Sequence, residues 1–246
     1  MKALILAAGY ATRLYPLTKE YPKSLLLVRG RPIIDYIIEK LEDINEIDEI
    51  IVITNSKFFN NFKAWKQKHH LKFKITVVDD LTKKNANRLG AIGDMNFAID
   101  KKRIACDLLV IGGDNLFSGT LNKFLHFTKQ NKENPVIGAF DIKRRAEASK
   151  YGVVRLNRNK QVVDFQEKPR QPKSTLIAMC LYYFPKNKLR LIKEYLYRKK
   201  EKKDAMGFYI DWLRSKEPVY GYVFSGKWFD IGDYKFYNAA KQAFAH

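Results

Sequence analysis

Short apolar runs alternate with helical stripes through the first 112 residues, and that alternation leaves the chain few architectures. "KALILAA" reads as a short buried strand. "RPIIDYIIEKLEDI" sets Ile33, Ile34, Ile37, Ile38 and Leu41 on one helical stripe, with Pro32 at its start. "DEIIVIT" is a second strand, "KFFNNFKAWKQKH" a second helix and "FKITVVDD" a third strand. "GAIGDMNFAID" follows as a helix and "CDLLVIGGD" as a fourth strand. This β-α-β-α order predicts an α/β fold with a mixed, mostly parallel sheet and helices on both faces. Ligands of such sheets bind beyond the carboxyl ends of the strands.

The second half changes character. "YGVVRLNRNKQVVDFQEKP" reads as a hairpin turning at Asn157–Lys160, and "TLIAMCLYYFP" as a further strand. Helices are expected around 186–200 and 205–215. "PVYGYVFSGKWFDIGD" is expected to close the sheet, and a last helix to carry Tyr234, Tyr237, Ala240 and Phe244 inward. No Gly-, Pro- or Ser-rich linker separates the halves, so residues 1–246 are read as one domain, with no internal repeat.

With 46% apolar residues the chain can bury a core, and no apolar run reaches the roughly 18–20 residues that span a bilayer. "ALILAA" is too short for a signal-peptide core, so a soluble cytoplasmic protein is expected. Cys106 and Cys180 lie in apolar, strand-like runs and read as buried thiols rather than a disulfide. The four histidines lack ligand spacing, and His69-His70 reads as a surface helix end. The net charge of +20 is spread along the chain, with clusters at 143–145 and 198–203. Neither cluster carries repeated stacking aromatics, so solvated helix faces are the first reading. Attraction of anionic substrates or a membrane surface comes second, and nucleic acid last.

After the first strand the chain runs "LAAGYATRLYPLTKEYPK", residues 6–23. The G-x-x-x-x-G-K-[ST] and G-x-G-x-x-G patterns are both absent there, which disfavours a P-loop and a dinucleotide site. Backbone N–H groups of Ala7, Ala8 and Gly9 could face an anion, Arg13 adds a planar fork and Lys23 a point charge. Taken alone, Gly9 and Arg13 suit an ordinary strand–loop turn equally well.

The full string resembles the L-A-x-G-x-G-T-R-L-x-P-x-T-x-x-x-P-K signature of the sugar-phosphate nucleotidyltransferases, in a form nearest the glucose-1-phosphate thymidylyltransferases. Gly9, Thr12, Arg13, Leu14, Pro16, Thr18, Pro22 and Lys23 match, and Ala11 replaces the second glycine, which suggests a slightly altered backbone there. Four further stations follow in the expected order. In "NANRLGAIGD" the resemblance implies that Asn85 and Gly90 meet the base, with Asn85 standing where glutamine is usual. In "GGDNLF", Asp114 matches the metal aspartate, and "DN" is the form associated with the thymidylyl- and uridylyltransferase branch. In "YGVV" and "EKP", Gly152, Glu167 and Lys168 would surround the sugar phosphate. In "GKWFDIGD", Asp230 matches the second metal aspartate, Trp228 reads as a core residue and Asp233 as a helix cap.

The resemblance implies a Rossmann-like single domain that transfers NMP from an NTP, dTTP or UTP favoured, to a sugar 1-phosphate. Ala7, Ala8, Gly9, Thr12, Asn85 and Gly90 would bind nucleotide, and Gly152, Glu167, Lys168 and Cys180 the acceptor. Arg13 and Lys23 would act on the phosphates, and Asp114 and Asp230 would hold Mg²⁺. The implied partners are these two substrates, with a homo-oligomer compatible and no nucleic acid expected. Met179 and Cys180 precede "LYYF" where the family commonly has a hydroxyl residue and glycine, which implies a tighter, less polar acceptor pocket. Two other readings stay open. One is a CTP-dependent enzyme acting on phosphocholine or an inositol phosphate, with a cage from Tyr10, Tyr182 and Trp212. The other is a non-catalytic basic binding protein.

Overall fold

The computed structural model describes residues 1–68, 73–198 and 204–244; His69 and His70 lie outside them. The first half runs β1 (Lys2–Leu6), β2 (Leu27–Val28), β3 (Arg31–Pro32), α1 (Ile33–Glu42), β4 (Glu49–Thr54), α2 (Phe59–Gln67), β5 (Lys74–Asp79), α3 (Gly90–Lys102) and β6 (Leu108–Gly112). It continues through β7 (Asn115–Phe117), α4 (Leu121–Gln130), β8 (Val136–Asp141), α5 (Arg145–Ala148), β9 (Gly152–Leu156), β10 (Val162–Glu167) and β11 (Leu176–Phe184). The end is α6 (Arg190–Arg198), α7 (Met206–Leu213), β12 (Tyr220–Phe224), β13 (Trp228–Asp230) and α8 (Tyr234–Ala243).

Nine strands form one mixed sheet in the order β10-β9-β11-β6-β1-β4-β5, with β8 pairing β11 and β12 pairing β8. The strands β6, β1, β4 and β5 are mutually parallel, and β11 runs antiparallel to β6, β8 and β9. All residues of β4 and β6 are buried, as parallel strands covered on both faces require. On one face Ile34, Ile37, Ile38 and Leu41 of α1 meet Phe62 and Trp65 of α2 and Phe124 of α4. On the other, Ile92 and Met95 of α3 pack with Tyr195 of α6 and Tyr209 and Ile210 of α7. The fold class expected from the alternation is the one observed. Among the described residues no helix is long and apolar enough to cross a membrane.

Two details of topology place the site. The chain steps outward from β1 to β4 and β5, then returns to lay β6 on the opposite edge of β1. This reversal opens a crevice at the carboxyl ends of β1 and β6, where the loops after both strands meet. A third apolar cluster then anchors those loops: Leu14, Leu116 and Ile231 pack with Tyr237 and Ala240 of α8. Each anchor lies one or two residues from Arg13, Asp114 or Asp230.

Several local expectations differ from the structure. Between Asp114 and Tyr151 the sequence reading assigned no element, yet β7, α4, β8 and α5 lie there. The Leu121, Phe124, Leu125, Thr128 stripe of α4 was legible at helical spacing. Only Tyr220–Phe224 of the last apolar stretch joins the main sheet, parallel to β8. Gly226, at φ 95°, turns the chain so that β13 pairs with β7 in a separate ribbon. On α8, Tyr237 and Ala240 are buried as expected, but Tyr234 is exposed and donates its hydroxyl to the carbonyls of Leu14 and Tyr15. Cys106 lies half-buried before β6 rather than in a strand, and both thiols are free.

Candidate active site

The loop after β1 is held in shape by the protein before any ligand arrives. Thr18, fully buried, donates its hydroxyl to the Ala11 carbonyl at 2.8 Å, and Tyr234 ties Leu14 and Tyr15 to α8. Ala7 and Ala8 are buried, whereas Gly9, Thr12 and Arg13 are exposed. A Cβ built on Gly9 would meet no atom within 4 Å, so packing alone does not require glycine there. Ala11 sits at φ 47° and ψ 42°, in the left-handed region that glycine enters freely and that costs other residues about 1–2 kcal/mol. Ala11→Gly should therefore stabilise the fold by about 0.5–1 kcal/mol, the strain relieved outweighing the freer unfolded chain. Thermal unfolding should rise by about 1–4 °C; a fall would show that the Ala11 methyl is needed where it is.

Two carboxylates meet because of the small ribbon. Antiparallel pairing sets Asp230 opposite Asn115, and the Ile231 amide donates to the Asp114 carbonyl at 3.2 Å. The Asp114 and Asp230 carboxyls lie close enough for each to influence the ionisation of the other. Lys23 forms an ion pair with Asp114, their side chains only 20% and 25% exposed. Burial, reinforced by the Asp114 charge, pushes Asp230 up to about 7. Burial also works against ionised Asp114, but the charge and hydrogen bond of Lys23 more than offset it and hold Asp114 below its usual range. Unlike the exposed Arg13, Lys23 is mostly buried, and Ser24 and Leu25 after it are in the core.

A pair of carboxylates sharing a proton can exchange it for a divalent cation, and oxygen-only donors suit Mg²⁺. Among the described residues no group of three or more His, Cys, Asp or Glu could hold a metal. As two oxygen donors, Asp114 and Asp230 would fit a hard cation that takes further oxygen ligands from outside the protein. The consequence for stability has a definite sign. Asp230 keeps its proton in the fold up to about 7, against 3.8 ordinarily, so its contribution is present below pH 3.8 and lost as pH rises through 7. Asp114, shifted down, contributes above 3.8 and loses that contribution as pH falls below it. In chelator, wild-type melting temperature should fall between pH 5 and 8 relative to Asp230→Asn, and Mg²⁺ should remove the difference. Parallel profiles in chelator would show that no proton is shared.

The residues expected to meet the acceptor adjoin this pair in a cleft of about 330 Å³. Glu167 ends β10 with its side chain 10% exposed, and Lys168 Nζ lies 3.6 Å from its Oε1. Burial raises Glu167, and Lys168 partly opposes the rise. Glycine at 152 is required, since a Cβ there would stand 2.6 Å from Phe165 and 3.2 Å from Glu167 Oε2. Cys180 stands in a bulge of β11, between Ala178 and Tyr182, at φ 53°. Met179 is 1% exposed and points into the core, so of the two it is Cys180 that faces Asp114 across Gly112. Burial pushes the Cys180 thiol up, and Asp114 and Asp230 add to the effect.

The bulge has a buried keeper that sequence reasoning missed. Asn115, 2% exposed, donates to the carbonyls of Met179 and Cys180 and accepts from Trp228 Nε1 at 2.9 Å. The "DN" pair was the available signal, but only the fold shows that Asn115 holds two strands together. Trp228 packs on Tyr151 and Phe140, as a core residue, and also lines the cleft. Asp233 caps α8 by accepting from the Phe236 amide at 3.0 Å.

The cleft therefore gathers Arg13, Asp114, Gly152, Glu167, Lys168, Cys180 and Asp230, with Lys23 attached through Asp114. Arg13 has no hydrogen-bond or ion-pair partner among the described residues. Asn85 and Gly90 are not in the cleft wall but lie beside it, since Ala91, next to Gly90 at φ 78°, lines it. Ala7, Ala8, Gly9 and Thr12 lie on the loop that carries Arg13 and are likewise outside the wall. The three rings considered for a cage are not assembled. Tyr10 pairs with Phe58 and Trp212 stacks among Tyr195 and Tyr209, leaving Tyr182 alone in the cleft wall.

The Ala7 amide, expected to face an anion, instead donates to the Ile53 carbonyl at 2.9 Å, so the crevice at the sheet reversal offers Arg13 and a pair of carboxylates among its charged groups. The chain belongs to the nucleotidyl transferase family, whose model matches residues 2–246. It is 30% identical over 233 residues to the bifunctional protein GlmU of Methanocaldococcus jannaschii, covering 94% of this chain and 51% of that protein. It is 28% identical over 238 residues to a protein of Sulfolobus acidocaldarius provisionally named mannose-1-phosphate guanyltransferase, covering 94% and 60%. The chain thus spans about half to three-fifths of the length of these relatives. A UDP-glucose pyrophosphorylase complexed with UDP-glucose shares the fold, with a TM-score of 0.81 over 99% of this chain and 97% of that one at 23% identity.

Proposed function

We propose that the protein transfers a nucleoside monophosphate from an NTP, dTTP or UTP favoured, to a sugar 1-phosphate, releasing pyrophosphate. The observation that carries this reading is the meeting of Arg13, Lys23, Asp114 and Asp230 beside Glu167 and Lys168 at one crevice. The attacking group is a phosphate monoester oxygen whose second pKa is about 6, so it arrives ionised and needs no general base. Catalysis then consists of in-line positioning and cancellation of crowded negative charge. The new bond joins the sugar-phosphate oxygen to the α-phosphorus, and the bond to the β-phosphate oxygen breaks, with pyrophosphate carrying away the electron pair. Arg13, exposed and without a hydrogen-bond or ion-pair partner among the described residues, is placed to hold the leaving pyrophosphate. Lys23, already fixed by Asp114, meets the α-phosphate with little further ordering. Glu167 accepts from acceptor hydroxyls, and Lys168 faces the acceptor phosphate. Mg²⁺, when bound by Asp114 and Asp230, would supply charge neutralisation between the two substrates.

A matrix of the common NTPs against sugar 1-phosphates and phosphocholine, read by pyrophosphate release, tests the reading. Release requiring both an NTP and a sugar 1-phosphate supports it; release with CTP and phosphocholine alone would replace it. Cys180 bears on the acceptor. A thiol held at φ 53° occupies space beside Gly112 that a glycine would leave open, so an acceptor with fewer hydroxyls than glucose is favoured. Loss of one hydrogen-bonding contact costs about 1–3 kcal/mol. Cys180→Gly should raise kcat/KM for glucose 1-phosphate by roughly 10-fold relative to the best acceptor of the matrix. Tight wild-type use of glucose 1-phosphate, unchanged in Cys180→Gly, would reject the deoxy preference.

A further inference from the structure

The nucleotide and acceptor sides of the cleft are joined by an ion pair spanning 116 residues of sequence. Arg88 Nε donates to Asp204 Oδ1 at 2.9 Å and Oδ2 at 3.1 Å, and its Nη2 also reaches Oδ2. The same guanidinium donates through Nη1 to the Asn85 carbonyl at 3.0 Å and approaches the Asn85 side-chain oxygen at 3.4 Å. Asp204 in turn accepts the Ala91 amide, in the first turn of α3, on its carbonyl at 3.3 Å. Two residues later α7 begins, and Gly207 in its first turn lies so close to Glu167 Oε2 that any β-carbon would collide with it. One continuous set of contacts thus runs from Asn85 through Arg88 and Asp204 to the seat of Glu167.

We propose that the Arg88–Asp204 pair is a positioning device that couples nucleotide binding to assembly of the acceptor side. This rests on the placement of nucleotide near Asn85 and Gly90 and of acceptor near Glu167. Nucleotide that orders Asn85 also orders Arg88. A fixed guanidinium holds Asp204 and with it the start of α7, which keeps the Glu167 carboxylate aimed into the cleft. Both partners are about half exposed, at 42% and 52%, so the pair adds little to global stability. Its loss should therefore separate coupling from folding.

Hydrogen exchange of the unliganded protein reads the link without any substrate. Arg88→Ala should speed exchange over 204–210 as well as over 85–92, with melting temperature unchanged. Arg88→Asp combined with Asp204→Arg should restore wild-type protection. Loosening confined to 85–92 would overturn the proposal. In a second arm dTTP and UTP are added to wild type and to Arg88→Ala. Protection should reach 204–210 in wild type alone, and Arg88→Ala should raise the acceptor KM several-fold with kcat nearly constant. Protection of 85–92 in wild type with no change at 204–210 would equally overturn it. If neither nucleotide protects any segment, the base preference of the proposed function fails, while the unliganded arm still decides the link.

Discussion

Asp114→Asn and Asp230→Asn should each lower turnover by roughly 10²-fold or more at saturating substrates and Mg²⁺, with the fold retained. An amide keeps the shape of the carboxyl but not its charge, and a lost electrostatic partner of a transferring phosphoryl group costs on this scale. A factor of 10² corresponds to about 2.7 kcal/mol of transition-state stabilisation. The two variants should differ in stability, and that difference is diagnostic. Asp230 is a carboxyl whose burial disfavours its charged form, so an uncharged amide there should leave the unliganded protein as stable as wild type or more so. Asp114 is ionised against Lys23, so its amide leaves a mostly buried cation without its partner and should lower stability. Pyrophosphate release and thermal unfolding measured together check both halves. Normal turnover in either variant would remove that residue from the proposed metal site.

Lys23→Ala and Arg13→Ala should both impair catalysis strongly, roughly 10²-fold each, yet differ in what they do to the protein. Arg13 is exposed and pairs with nothing among the described residues, so its removal should leave the melting temperature unchanged. Lys23 offsets the charge of Asp114 in a site already crowded by Asp230, and its removal should cost about 1–3 kcal/mol. The loss should be recovered in part by Mg²⁺, which replaces the missing positive charge. Equal, large losses of stability in both variants would instead make these side chains structural props of the loop.

Much of the architecture was legible because local pattern and tertiary role agree. The strands β1, β4 and β6 are largely apolar runs in the middle of the sheet, and burial on both faces leaves such runs little choice. The stripe of α1 and the hairpin of β9 and β10 were read at nearly the observed bounds. Between Asp114 and Tyr151 the α4 stripe is regular but its start carries no side-chain cap, and β7 is three residues long with its partner β13 more than 100 residues away. The division of "PVYGYVFSGKWFDIGD" between two sheets was not legible at all. Pairing partners of β12 and β13 lie more than 80 residues away, and nothing local names them.

The same boundary runs through the site. By itself the sequence determined which residue types stand after which strands: a small-residue turn with Arg13 and Lys23, and aspartates at 114 and 230. These are local facts, set by strand ends and turn chemistry, and an ordered series of short motifs preserves them. Only the tertiary structure decided that Asp230 lies against Asp114, that Lys23 is buried rather than exposed, and that Asn115 holds the Cys180 bulge. It alone joined Arg88 to Asp204 and set Gly207 against Glu167. Burial, shared protons and ion pairs depend on which distant segments close on each other, and the cost of isolating a charge from water arises only once they have closed.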